Sequence, residues 1–187
     1  SDGTRQEISL RYSGQICEWK TELIRNAAIK GILNEGLEEK ANLVNAAAMA
    51  SSRGVQVHES CKMKSSAVTD SSLSILLKTS KEEHLVKGTV LHGHPRMLHV
   101  DGIEVEAPLE RDLIYMRNRD VPGVIVRVGP ILGEHQINIA NFSLGRRTPG
   151  AEVEKSAEAI AVVHVDGRVP EKVLAELKKV PDRKSGG

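Results

Sequence analysis

The sequence predicts an α+β protein built from two small domains. Three features carry that expectation. Two helical stretches precede a run of short strands with alternating apolar residues; a second series, ordered strand, helix, strand, strand, helix, begins at Asp112; and Ala107-Pro108-Leu109-Glu110-Arg111 breaks the alternation between them. At 187 residues the chain also exceeds the roughly 100–150 of one ordinary core. The domains are therefore expected at 1–108 and 112–180, with 181–187 a disordered tail.

The first domain opens with QEISLRYSGQI, where Ile8, Leu10 and Tyr12 alternate with polar neighbours before Gly14, the pattern of a half-buried strand ending in a turn. From Trp19 to Leu33 the apolar residues Leu23, Ile24, Ala27, Ala28 and Ile32 fall three and four apart, and Gly36 stands where a helix would be capped. A second, alanine-rich helix is expected from Asn42 to Arg53, with Leu43, Val44, Ala47 and Ala50 on one side and Gly54 at its end. The period then changes to two. VQVHES, SLSILLK and EHLVKGTVLHGH read as strands, and LHVDGIEV sets Asp101-Gly102 between two alternating runs, a strong hairpin signal. Two helices on a largely antiparallel sheet follow.

The second domain starts with the strand DLIYMR and continues with a helix from Pro122 to Glu134, whose stripe is Val124, Ile125, Val128, Ile131 and Leu132. INIANFSLG is a strand, RRTPGAEVEKS a polar hairpin tip and SAEAIAVVHVDG a further strand. PEKVLAELKKV is a helix, with proline at its start, glutamate in its first turn and lysines in its last. This is the order of a ferredoxin-like βαββα(β) sandwich. PDRKSGG after Val180 is too short and polar for the final strand, so DLIYMR is expected to be an exposed sheet edge.

Composition removes several functions. The 40% hydrophobic and 27% charged content suits a folded globular chain, and the formal net charge of +1 comes from interspersed signs that offer no basic face to nucleic acid. Four scattered aromatics, Tyr12, Trp19, Tyr115 and Phe142, make no stacking platform. No apolar run approaches the ~20 residues of a membrane span, and the start SDGTRQEISL is not a secretory signal, so a cytoplasmic protein is expected. Cys17 and Cys61, far apart and without a CxxC partner, fit reduced structural thiols better than a disulfide.

The segment Asn118-Arg119-Asp120-Val121-Pro122-Gly123 joins a strand to a helix N-terminus, where backbone N–H groups lack partners and the dipole is positive. Such a place attracts a carboxylate. Gly123 would let a small ligand approach, Pro122 has no N–H to leave unsatisfied, and Asp120 can cap the helix or accept from an ammonium group. Asn138, at the start of the next strand, and Asn118 supply amides for the rest of a zwitterion. Spacing leaves a second reading open, in which Asp120 is an ordinary cap and the asparagines are loop residues.

RDVPGVIVRVGPILGEHQINIANFSLGR resembles an ACT domain, with its (D/N)xPG-type turn, amphipathic helix and (V/I)NI strand start, and the match runs from Leu113 to Gly145. ELIRNAAIKGILNE, NLVNAAAMASSRGVQV and the strands after them resemble the allosteric substrate-binding domain of long-form D-3-phosphoglycerate dehydrogenases. The resemblance implies homodimeric pairing through ACT domains, with L-serine or a similar small amino acid bound at the subunit interface. By position, Asn118, Asp120, Val121, Pro122 and Gly123 of one subunit would face Asn138 and Ile139 of the other. It also implies that the first domain binds an anion, with His94 and Arg96 as candidates. The implied function is the regulatory part of an NAD-dependent enzyme of L-serine biosynthesis.

No GxGxxG occurs in these residues, so neither a cofactor, a catalytic residue nor enzymatic activity is expected of this chain alone; NAD would belong to the parent enzyme. His92 and His94 at period two would share a strand face, yet no third ligand accompanies them and no metal is expected. Arg146 and Arg147 read as a solvated tip, and Cys61 lacks the neighbours of a nucleophile. Two alternatives stand beside the leading reading: the regulatory part of an L-serine dehydratase, whose cluster two cysteines cannot supply, and a free-standing amino-acid-binding adaptor.

Overall fold

The computed structural model describes residues 5–34, 40–63, 71–110, 112–118, 121–147 and 158–179. Contacts divide the chain into two compact units, 1–93 and 94–187. The tail expected at 181–187 and the cap expected at Gly36 lie outside the described residues.

In the first unit, strand β1 (Arg5–Gly14) leads through a short 3-10 turn (Gln15–Glu18) to helices α1 (Glu22–Leu33) and α2 (Ala46–Ser52), then to strands β2 (Gln56–Lys62), β3 (Ser71–Thr79) and β4 (Glu83–Leu91). These strands lie in the order β2-β1-β3-β4. β1 runs antiparallel to β3 but parallel to β2, with Ile8 opposite Val57, because two helices intervene and provide the long crossover that a parallel pair requires. Ile8, Leu10 and Tyr12 turn one face of β1 onto Ile29, Leu33, Ala46 and Ala50. Each fully buried Ile or Leu here stabilises the unit by about 1.5–3 kcal/mol. The Tyr12 hydroxyl donates to Glu59 Oε1 at 2.8 Å, and burial together with that carboxylate pushes the phenol well above its usual range.

Several local expectations fail for identifiable reasons. α2 begins at Ala46 rather than Asn42, because Asn42 Oδ1 accepts from the backbone N–H groups of Val44 and Asn45 at 2.8 and 2.9 Å and holds a turn there. Leu43 and Val44 consequently lie outside, Val44 at 89% exposure, and Leu23 near the start of α1 is also exposed. EHLVKGTVLHGH is not one strand. His92 and Gly93, with φ of 51° and 83°, form a two-residue turn after β4, as Asp101 and Gly102 do at 48° and 85° in the expected hairpin. Cys17 and Cys61 are not free thiols but a disulfide. Parallel pairing sets Cys61 opposite Tyr12, and the 3-10 turn brings Cys17 back until the two Cα atoms are 5.7 Å apart, a proximity that 44 residues of separation concealed.

The second unit begins with the hairpin β5 (His94–Val100) and β6 (Ile103–Pro108). Strand β7 (Asp112–Asn118), helix α3 (Val121–Glu134), strands β8 (Ile139–Arg146) and β9 (Ala159–Val165) and helix α4 (Glu171–Lys178) follow in the expected βαββα order. The sheet order is β7-β9-β8, antiparallel throughout, so β9 is central and, among the described residues, β7 is an edge. β9 is buried along its whole length. Ala161, Val163 and Val165 enter a core with Val128, Leu132, Val173 and Leu177 of the helices, whereas Ile160 and Val162 meet Met97, Val100, Ile103, Val105 and Ala107 of the hairpin. The β5–β6 hairpin thus covers the sheet face that the helices leave open. Gly145 of β8 lies where β6 passes, with no room for a side chain: an added Cβ would strike the Glu104 carbonyl oxygen and approach Val105 Cβ to 2.8 Å.

Candidate ligand site

β7 ends at Asn118 and α3 begins at Val121, so of the segment Asn118–Gly123 read from the sequence only Arg119 and Asp120 fall between the two elements. Those two residues, and the side chains of Asn118, Val121, Pro122 and Gly123, lie outside the described residues. α3 is a helix of 14 residues, long enough for its first backbone N–H groups to sit at the positive end of a developed dipole.

β8 starts at Ile139, so Asn138, expected to begin the strand, lies one residue before it and is exposed. Its Nδ2 donates to Asp166 Oδ2 at 2.7 Å, while the Asp166 backbone N–H donates to the Asn138 carbonyl at 3.0 Å. Two hydrogen bonds therefore bind the start of β8 to the end of β9. Ile139 pairs with Val165 and packs against the helix-side core, leaving its backbone as the part that could face a ligand.

Register decides how these groups relate. Ile139 and Asp112 both oppose Val165, whereas Asn118 opposes Ala159 at the other end of β9. Six residues of strand separate the two levels, about 20 Å at ~3.4 Å per residue. One copy of the chain thus presents an Asn118 half and an Asn138 half at opposite ends of its sheet, too far apart to hold one small molecule between them.

The Asn118 end carries a charge network that local sequence gave no sign of. Arg117 reaches Glu158 Oε2 at 2.9 Å and Asp101 Oδ2 at 3.2 Å, and Arg147 reaches Glu158 Oε2 at 3.2 Å and the Asp101 carbonyl at 3.0 Å. Hydrogen bonding to Arg117, aided by Arg147, holds the Glu158 carboxyl below its ordinary range, and the same bond keeps Arg117 more firmly protonated. Arg147, read as a solvated tip, instead ties the end of β8 to the Asp101-Gly102 turn. Its partners lie 11 and 46 residues away.

The histidine pair does not form as expected. His92 occupies the turn and His94 opens β5, so the two do not share a strand face; His94 Nδ1 meets Glu110 Oε1 at 2.6 Å. Arg96 stands opposite Pro108, and its Nε is buried with no hydrogen-bond partner among the described residues. His164 Nε2 donates to the Pro108 carbonyl at 2.5 Å. Among the described residues there is no group of three or more side chains able to hold a metal ion.

Comparison with known proteins also divides the chain in two. Residues 1–101 match the family model described as D-3-phosphoglycerate dehydrogenase intervening domain, and residues 113–182 match the ACT domain model. The chain is 34% identical to a D-3-phosphoglycerate dehydrogenase of Methanocaldococcus jannaschii, over 98% of this chain and 33% of that protein. It is 31% identical to that of Bacillus subtilis, over 95% and 33%, and 32% identical to that of Synechocystis, over 95% and 31%. The chain therefore spans about a third of the length of these relatives. Family models and packing divide it at different places, because the β5–β6 hairpin is grouped by contacts with the residues after it.

Proposed function

The chain belongs to the D-3-phosphoglycerate dehydrogenase intervening-domain family and carries an ACT domain after it, and from that premise we propose that it is the regulatory part of an NAD-dependent phosphoglycerate dehydrogenase of L-serine biosynthesis. In this reading residues 1–108 form the intervening module, and the ACT domain, 112–180, takes L-serine or a similar small amino acid as a feedback effector. NAD and the chemistry belong to the remainder of such an enzyme, which acts in the cytoplasm. No helix among the described residues is long and apolar enough to cross a membrane.

The observation that carries the effector reading is the register. A turn at the α3 N-terminus suits a carboxylate and Asn138 suits the amine end, yet the two lie about 20 Å apart within one copy. A second copy brings its Asn138 and Ile139 to the Asn118, Asp120, Val121, Pro122 and Gly123 turn of the first, so dimerisation and effector binding become one equilibrium. In the intervening module, Arg96 with His94 is the candidate for an anion, supported by the unpartnered Arg96 Nε; the Glu110 carboxylate on His94 leaves Arg96 as the stronger contributor.

Calorimetric titration of the full chain with L-serine tests the effector site, and sedimentation with and without the ligand tests the dimer. Saturable heat, a shift toward dimer, and binding weakened about tenfold or more by Asn138→Ala are expected. No response to L-serine, glycine or L-alanine at millimolar concentration would remove the effector role.

A further inference from the structure

We infer that Asp166 is a positioning residue that orients the Asn138 carboxamide so that its half of the site reads an ammonium group, an inference that rests on the amino-acid reading above. A carboxylate can only accept, so the Asn138 atom that meets Asp166 Oδ2 at 2.7 Å is the amide nitrogen. The amide oxygen is thereby turned away from Asp166. Backbone locks the same two residues together, since the Asp166 N–H donates to the Asn138 carbonyl at 3.0 Å. The chain then turns away at Gly167, where φ is 95° and an added Cβ would meet nothing within 4 Å.

An amide oxygen accepts hydrogen bonds and is the wrong partner for a carboxylate. Asn138 accordingly takes the cationic end of a zwitterion, and the anionic end falls to the α3 N-terminus of the second copy, whose N–H groups donate. Specificity follows from this division. A 2-hydroxy acid of the same skeleton keeps the carboxylate but offers a neutral donor to the Asn138 oxygen, so glycerate should bind about tenfold more weakly than L-serine.

Four forms of the full chain, titrated calorimetrically with L-serine and with glycerate, test the assignment. In Asp166→Asn the carboxamide is free to turn over, and the preference for serine should shrink to about threefold. In Asn138→Asp two carboxylates face each other and serine binding should fall about tenfold or more. Combining Asn138→Asp with Asp166→Asn exchanges donor and acceptor while keeping the bond, and should restore serine affinity to within about threefold of wild type with the amine preference intact. A combined variant no tighter than Asn138→Asp alone, or an Asp166→Asn variant that discriminates as wild type does, overturns the inference. The ligand-free protein separates this from failure of the effector reading. The Asn138 side-chain amide resonances should shift on Asp166→Asn whether or not any amino acid binds. That shift without serine binding overturns the effector reading and the ammonium role together, whereas serine binding without the shift overturns only the positioning by Asp166.

Discussion

One substitution, made at two glycines of the same unit, should act in opposite directions. At Gly145 of β8 an added methyl group meets the Glu104 carbonyl oxygen first, then Val105 Cβ at 2.8 Å and Ile103 Cγ2 at 3.0 Å. The first obstacle is backbone of β6, which sits in a packed hairpin and cannot rotate aside. Overpacking of this kind costs about 1–3 kcal/mol, and Gly145→Ala belongs in the upper half of that range because the whole strand must move. At ~4–8 °C per kcal/mol for a cooperative unit of under 100 residues, the transition of the second unit should fall by about 10–20 °C. At Gly133, in the last turn of α3, an added Cβ meets nothing within 4 Å. Gly133→Ala there removes the conformational cost of a helical glycine and should stabilise by about 0.5–1 kcal/mol. Thermal unfolding followed by hydrogen exchange assigns each effect, with faster exchange in β6 and β8 expected for Gly145→Ala. If Gly145→Ala leaves stability within about 0.5 kcal/mol of wild type, the close passage of β6 over β8 is wrong.

Three further outcomes follow from particular contacts. Reducing the Cys17–Cys61 bond with a dithiol should destabilise the first unit by up to about 4 kcal/mol, the chain-entropy value for a 44-residue loop, and peptide mapping without reductant should recover the linked pair; unchanged unfolding with and without the dithiol would show that the bond is not formed. Glu158 has a lowered folded-state pKa, so its contribution is fully present above the ordinary carboxylate value and is lost as pH falls from there through the lowered value. Glu158→Gln should therefore cost about 0.5–1 kcal/mol at pH 7 and progressively less as acid titrates the carboxylate, and a loss that does not change with pH would exclude the ion pairs as its cause. Val163→Ala empties a fully buried position between β9 and the helices, and chemical denaturation should report a loss of about 2 kcal/mol with loss of protection in α3 and α4.

Periodicity in the sequence was enough for elements whose residues interact with near neighbours. Ile8, Leu10 and Tyr12 alternate because β1 has one buried face, Asp101-Gly102 turns because both residues adopt positive φ, and the Val128, Ile131, Leu132 stripe of α3 faces the core as expected. The misreadings share one cause, namely competition from contacts between residues distant in sequence or from side chains that bond backbone. Asn42 diverted the start of α2, His92-Gly93 did the work of a turn without the usual Asn or Asp, and the Cys17–Cys61 bond depended on a parallel pairing that alternation alone does not specify. At the candidate site, Asn138 can be proposed from its place at the expected start of an apolar strand. Asp166, 28 residues on, and the Arg117–Glu158 pair, 41 apart, were not, because only the fold makes them neighbours.

The double burial of β9 bears on where the protein can be cut. Its residues alternate between two cores, and one of those cores is completed by a hairpin that ends at Pro108. A fragment beginning at Asp112 would keep every strand and helix of the ACT domain and yet lay Ile160 and Val162 open to water. Such a fragment should be sticky and poorly soluble, whereas one beginning at His94 should stay monodisperse on dilution from denaturant, so the smallest soluble piece is longer than the family boundary suggests.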